Sequence, residues 1–226
     1  MNKYDLVKRI ENFAPLENQE SWDMSGWLVD KPGENVNKVL FALTITDDVV
    51  KQAKIFDCDM IISHHPLFSV PFEYSKINMY CAHTNFDKAE GGTTDSLLSA
   101  LHLTGKKFGD YVRIVTLEQE MSVEFLKLKL LPISPRLRIV NNREVKTIRA
   151  LGFCAGSGSE FIKDTPCDAF VTGDIKYHTA IETKKVIYDI GHFESEIFAP
   201  RALRDICGLS EREGFIANEE SPFIYI

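Results

Sequence analysis

Apolar residues along this chain recur in two rhythms. Over 3–13 (KYDLVKRIENF), Leu6, Ile10 and Phe13 repeat at helical spacing and give one apolar stripe. A loop containing Gly and Pro follows, from about Pro15 to Asn37. The run 38–46 (KVLFALTIT) then has the length and apolar continuity of a buried strand. Thr46 or Asp47 is placed to cap a helix over 48–57, and 59–63 (DMIIS) is a second apolar strand. Strand, helix, strand at this spacing is the βαβ rhythm of a parallel sheet.

The rhythm continues. A strand is expected at 78–84, a helix opening at Thr93 or Thr94, a strand at 111–116 and a helix at 121–131 ended by Pro132. Further strands are expected at 137–141 and 146–154, where Gly156-Ser157-Gly158 turns into a short helix. Strand 168–172 leads to helix 175–184, strand 186–190 leads to helix 192–207, and 222–226 (PFIYI) reads as a closing strand. A division near residue 118 makes two α/β lobes, 1–118 and 119–226.

Composition narrows the class. Of the 226 residues, 44% are hydrophobic and 26% charged, an ordinary globular balance. No apolar run approaches the ~20 residues of a membrane span. The N-terminal MNKYDLVKRIENF mixes charges into its apolar pattern and does not read as a signal peptide, so the expected location is cytoplasmic. A net charge of -7 lacks the basic footprint of a nucleic-acid binder and suits a cation site. The five cysteines (Cys58, Cys81, Cys154, Cys167, Cys207) are odd in number and form no C-x-x-C pair. They read as small buried side chains rather than disulfides or a structural zinc site.

The histidines sort by position. Parallel sheets bind ligands at the carboxyl ends of their strands, and five of six histidines map there: His64 and His65 after 59–63, His83 at the end of 78–84, His178 one turn past 168–172, His192 after 186–190. Only His102 lies elsewhere. Adjacent residues point in different directions, so His64 and His65 suit separate ions of a close pair; alternatively, one ligates and the other supports it. His83 and Asp87 can supply a carboxylate ligand with a supporting imidazole, or Asp87 can order the turn before Gly91-Gly92. His192 and Glu196, four apart, share a helix face, as in helical metal sites; a plain surface pair is the bland alternative. Glu194 points away from that face. Together, His64, His65, Asp87, His192 and Glu196 form a mixed imidazole–carboxylate set suited to Zn, Mn, Fe, Co or Ni. Five ligands exceed what one catalytic ion uses and match two ions about 3.5–4 Å apart.

His83, Asp174 and His178 are then candidates to carry protons, with a turn aspartate and hydrogen-bonded histidines as the simpler readings. Gly156-Ser157-Gly158 before a helix could hold a phosphate, as a nucleotide or other phosphorylated substrate would need; a plain tight turn is the alternative.

Four ordered motifs, S-H-H-P-L-F at 63–68, A-H-T-N-F-D at 82–87, T-G-D-I-K-Y-H at 172–178 and G-H-F-E-S-E at 191–196, resemble the GTP cyclohydrolase 1 type 2 homologue family, also called NGG-interacting-factor-three-like. The similarity runs nearly end to end. It implies the same five ligands, with Glu196 bridging. It also implies a two-lobed α/β/α sandwich with mostly parallel sheets, in the compact form without an inserted domain, assembled as a homohexamer. The implied function is a dinuclear metal-dependent hydrolase, the alternative being a ring-forming metal-binding or partner-binding protein without catalysis. Two positions depart from the family pattern: Asp23-Met24-Ser25-Gly26 replaces Asp-Asn-x-Gly, and Thr44 stands where an aspartate is common.

Overall fold

A computed structural model describes residues 1–224. In chain order the elements are α1 (Lys3–Phe13), β1 (Gly26–Val29), β2 (Val39–Ala42), α2 (Asp47–Ile55), β3 (Met60–Ser63), β4 (Asn78–Cys81), α3 (Thr84–Lys88) and α4 (Thr93–Ala100). Next come β5 (Lys106–Phe108), β6 (Val112–Ser122), α5 (Val123–Leu130), β7 (Arg138–Val140), β8 (Thr147–Ser157) and β9 (Ala169–Gly173). The chain continues through α6 (Tyr177–Glu182), β10 (Val186–Asp189), α7 (His192–Glu196), α8 (Ala199–Cys207) and β11 (Gly214–Ile216). No helix among the described residues is long and apolar enough to cross a membrane.

The chain divides into two compact units, Met1–Gly92 with Ala199–Ile226, and Thr93–Phe198. A boundary at residue 118 would cut β6, whose ladder with β8 belongs to one sheet. Sequence order hid the division because α8 and β11 return to the first unit.

The first unit holds a five-stranded sheet of order β1-β4-β3-β2-β11, parallel except for the β1–β4 pair. Strand alternation splits its apolar residues between two faces. Val39, Phe41, Met60, Ile62 and Tyr80 pack with Leu6 and Ile10 of α1 and Leu203 of α8. Leu40, Ile61 and Met79 pack with Val49, Val50 and Ala53 of α2. Helices therefore cover both faces. Thr46 caps α2, its hydroxyl accepting the Val49 N–H at 3.3 Å, and Asp47 and Asp48 in the first turn suit the helix dipole.

The second unit holds a six-stranded sheet of order β5-β6-β8-β9-β10-β7. Only β8–β9 and β9–β10 run parallel; the other three pairs are antiparallel, so this sheet is mixed. Leu97 and Leu98 of α4 and Leu126 and Leu130 of α5 cover one face. Ile162 and its neighbours cover the other.

Three expectations change. The segment 192–207 is two helices rather than one, and Pro200 in the first turn of α8 explains the break: proline has no N–H and clashes with the carbonyl four residues back. Gly156-Ser157-Gly158 opens no helix, because β8 runs on to Ser157 and turns follow. The closing strand is β11 at Gly214–Ile216; residues 222–224 carry no strand, and 225–226 lie outside the described residues.

Candidate metal centre

In the first unit, β3 delivers His64 and His65 as it leaves the sheet. Their backbone N–H groups still bond Ala42 and Leu43 carbonyls at 3.1 and 2.8 Å, which extends the β2–β3 ladder through both histidines. The Cys81 thiol bonds the His64 carbonyl at 2.9 Å, and the Ser63 hydroxyl bonds that of His65 at 2.9 Å. The chain leaving β4 turns at His83 straight into α3, so Asp87 sits on a short helix and not in a loop. That turn brings Asp87 Oδ1 to 3.3 Å from His64 Nε2.

His64, His65 and His83 gather closely. Their ring centroids lie 5.1, 5.2 and 5.6 Å apart, and one ligating atom from each lies within 4.8 Å of the others. His83, expected as a supporting or proton-carrying group, thus stands among the potential donors.

In the second unit, α7 presents His192 and Glu196 on one face, Nε2 to Oε2 at 3.0 Å. Asp174, just past β9, reaches back so that its Oδ2 lies 2.7 Å from His192 Nδ1. Asp174 holds a left-handed backbone (φ 52°), a conformation that Asp and Asn tolerate better than other non-glycine residues. The hydrogen bond with Glu196 pushes the His192 imidazole up to about 9, against the opposing effect of burial and with further help from Asp174.

The four histidines share one pattern. Each has Nδ1 engaged: His64 with the Ala82 carbonyl at 2.9 Å, His65 with the Thr44 hydroxyl at 2.7 Å, His83 with Asp23 at 2.9 Å and His192 with Asp174 at 2.7 Å. An Nδ1–H held by an outer acceptor fixes the ring and its tautomer and makes Nε2 the atom offered for coordination. Scattered core histidines would not share this arrangement.

Asp23 is itself a built feature. Its side chain is fully buried and accepts from His83 Nδ1, the Thr84 N–H at 3.0 Å and the Ser25 hydroxyl at 2.9 Å; the Thr84 hydroxyl adds a short hydrogen bond. Burial opposes its charge, but the His83 and Thr84 hydrogen bonds outweigh burial and hold the carboxyl well below the usual carboxylate range.

The chemistry of these donors fits divalent ions, and so does the space around Glu196. At Gly156 (φ 68°) an added Cβ would lie 2.2 Å from Glu196 Oε1 and 3.5 Å from His192 Nε2. The glycine leaves the space that the Glu196 carboxylate and the His192 imidazole occupy. Two hydroxyls pin this stretch: Ser195 Oγ accepts the Gly156 N–H at 2.8 Å, and Thr172 Oγ1 accepts the Gly158 N–H at 2.9 Å. Those N–H groups are therefore not the phosphate cradle that the sequence allowed.

His178 lies on the exposed first turn of α6, in edge contact with Tyr177, and joins no potential metal-holding group among the described residues. Asp174 orients His192 instead of standing alone. Thr44, Ser195 and Thr172 were visible as motif positions or a departure from the family pattern, but not as outer partners, since a lone hydroxyl does not reveal what it bonds. Asp23 was visible as a motif position but not as a partner of His83.

A family model of Duf34/NIF3 (NGG1p interacting factor 3) matches residues 1–214. A Clostridium perfringens protein named GTP cyclohydrolase 1 type 2 homolog is 32% identical over 232 residues, covering 87% of each chain. A Campylobacter jejuni protein of the same name is 30% identical over 251 residues, covering 100% of each. Among solved structures, a Bacillus cereus protein related to NIF3 aligns with a TM-score of 0.84 at 19% identity, over 100% of this chain and 99% of its own. Reduced HcgD from Methanocaldococcus jannaschii aligns with a TM-score of 0.80 at 23% identity, over 96% and 97%. The structural likenesses bear on the fold alone. The family match over residues 1–214, with relatives at 30% identity or more along most of the chain, makes this chain a member of the Duf34/NIF3 family.

Proposed function

We propose that the chain is a dinuclear divalent-metal protein with hydrolase activity, in which His64, His65 and Asp87 act with His192 and Glu196 as ligands. The observation that carries this reading is the shared Nδ1 anchoring of the histidines, which makes Nε2 the donor in each ring. Membership of a family whose relatives bear a cyclohydrolase name supports the hydrolase part.

A bound pair of divalent ions supplies an acidified water and polarisation of the bond under attack. The chain's own contribution is proton handling. His83 takes a proton from the attacking water at Nε2 and returns it to the leaving group, while buried Asp23 holds Nδ1–H and stabilises the imidazolium. Asp174 keeps His192 in its ligating tautomer, and His178 on exposed α6 is the outlying proton carrier. For a GTP-type substrate the reaction is attack of one water on the imidazole-ring carbon of the guanine, which opens the ring to a formamide, and of a second water, which releases formate and leaves the free amine. The homohexamer implied by the resemblance is part of the proposal.

Elemental analysis of the purified chain is expected to give two ions per chain. His64→Ala and Glu196→Ala, one from each unit, are each expected to lose both. Full metal content in both variants would end the reading. Loss of one ion per variant would replace a shared pair with two separate ions. Metal-loaded protein is expected to release formate from GTP; a panel of phosphoesters, nucleotides and peptides separates this from other hydrolases. Native mass spectrometry tests the hexamer.

A further inference from the structure

We infer that Thr44, held in place by Glu219, is the positioning residue for His65, and that it makes His65 the weakest of the side-chain-supported imidazole donors. This inference rests on the metal reading above. Beyond β11, the chain stays clamped to the end of β2. The Ala217 N–H bonds the Phe41 carbonyl at 2.8 Å, and Asn218 exchanges two hydrogen bonds with the Gln52 side chain, each 2.8 Å. This clamp delivers the Glu219 carboxylate to two adjacent backbone N–H groups, Leu43 at 2.6 Å and Thr44 at 2.9 Å. Glu219 lies past the last residue of the family match.

With its backbone fixed in this way, Thr44 places Oγ1 2.7 Å from His65 Nδ1. When Nε2 coordinates, Nδ1 carries the proton and the Thr44 hydroxyl accepts it. His83 and His192 instead face carboxylates at Nδ1. A carboxylate strengthens an imidazole donor through its charge, and a neutral hydroxyl does so less. The ion that takes His65 is therefore the one that loss of the Thr44 hydroxyl weakens. Glu219 is half-buried and gives one carboxylate oxygen to each of the two backbone N–H groups, so its role is to hold backbone.

The test is Co(II) titration of the full chain, followed by absorption and by chelator competition, in native protein, Thr44→Val, Thr44→Ser and Glu219→Ala. The native chain is expected to show two steps. Thr44→Val is expected to weaken one of the two steps by about tenfold, the lower end for loss of an outer partner, with an altered Co(II) band and an unchanged circular dichroism spectrum. Thr44→Ser restores the hydroxyl and should bind within about twofold of native, and Glu219→Ala should weaken the same step. Thr44→Val within twofold of native would overturn the inference while two-step binding left the metal reading intact. Thr44→Ser as impaired as Thr44→Val, or equal weakening of both steps, would also overturn it. Absence of any tight Co(II) binding in native protein would instead remove the metal reading itself, and this inference with it.

Discussion

Gly156 and Glu196 are packed so closely that a single methyl group on the glycine would lie 2.2 Å from the carboxylate Oε1. The backbone there is also left-handed, at φ 68°. Gly156→Ala therefore combines a backbone cost of about 1–2 kcal/mol with displacement of Glu196. Thermal melting should shift down by several degrees, at roughly 2–4 °C per kcal/mol for a chain of this size. Metal retention should fall further than that loss of stability explains. A variant with native metal affinity would mean that Glu196 does not ligate from this position.

Asp174 and His192 offer a cleaner test of orientation. Asn at position 174 tolerates the left-handed backbone and can still reach His192. It brings no charge, however, and can present its amide N–H to Nδ1. Asp174→Asn is expected to stay folded and to lose about 10–100-fold in metal affinity, measured by chelator competition. Unchanged affinity would reduce Asp174 to a turn residue.

Asp23 makes a prediction in acid. Its folded-state pKa is depressed, so the stability it contributes is present above the unfolded value of about 4 and disappears as pH falls below it toward the folded value. Asp23→Asn should cost about 1–3 kcal/mol at pH 7 through weakened buried hydrogen bonds. Its denaturation profile below pH 4 should be flatter than native. Parallel profiles for the two proteins would show that Asp23 is not held ionised.

The second unit has an independent prediction. Arg113 is buried on β6 and meets Asp95 of α4 through Nε at 2.9 Å and Nη2 at 2.8 Å. Asp95→Ala removes a carboxylate partner from a buried guanidinium that also donates to the Asp110 and Val112 carbonyls, and should cost about 1–3 kcal/mol. Chemical denaturation checks this; a loss below 1 kcal/mol would mean that other groups neutralise the guanidinium.

Local pattern alone carried much of the fold. The Leu6–Ile10 stripe marked α1, the run from Val39 marked β2, and the Thr46-Asp47 pair marked the start of α2 to within a residue, because amphipathic period and capping chemistry act over a few residues. The four-residue strand β1 was not legible, since GWLV sits in a Gly/Pro-containing loop and gains its ladder only from β4. The split of 192–207 was visible in Pro200, but the return of α8 and β11 to the first unit was not, because no local signal records which sheet edge a distant segment will cover.

The same division holds at the candidate site. By itself the sequence determined which side chains carry donor chemistry, and it put His192 and Glu196 on one helix face, since spacing on a helix is a local property. Only the tertiary structure decided what stands behind each imidazole: Asp23 sixty residues from His83, Thr44 behind His65, and Gly156 beneath Glu196. Hydrogen bonds and close packing act over a few ångströms, and residues that far apart along the chain come within that range only once the sheets have formed.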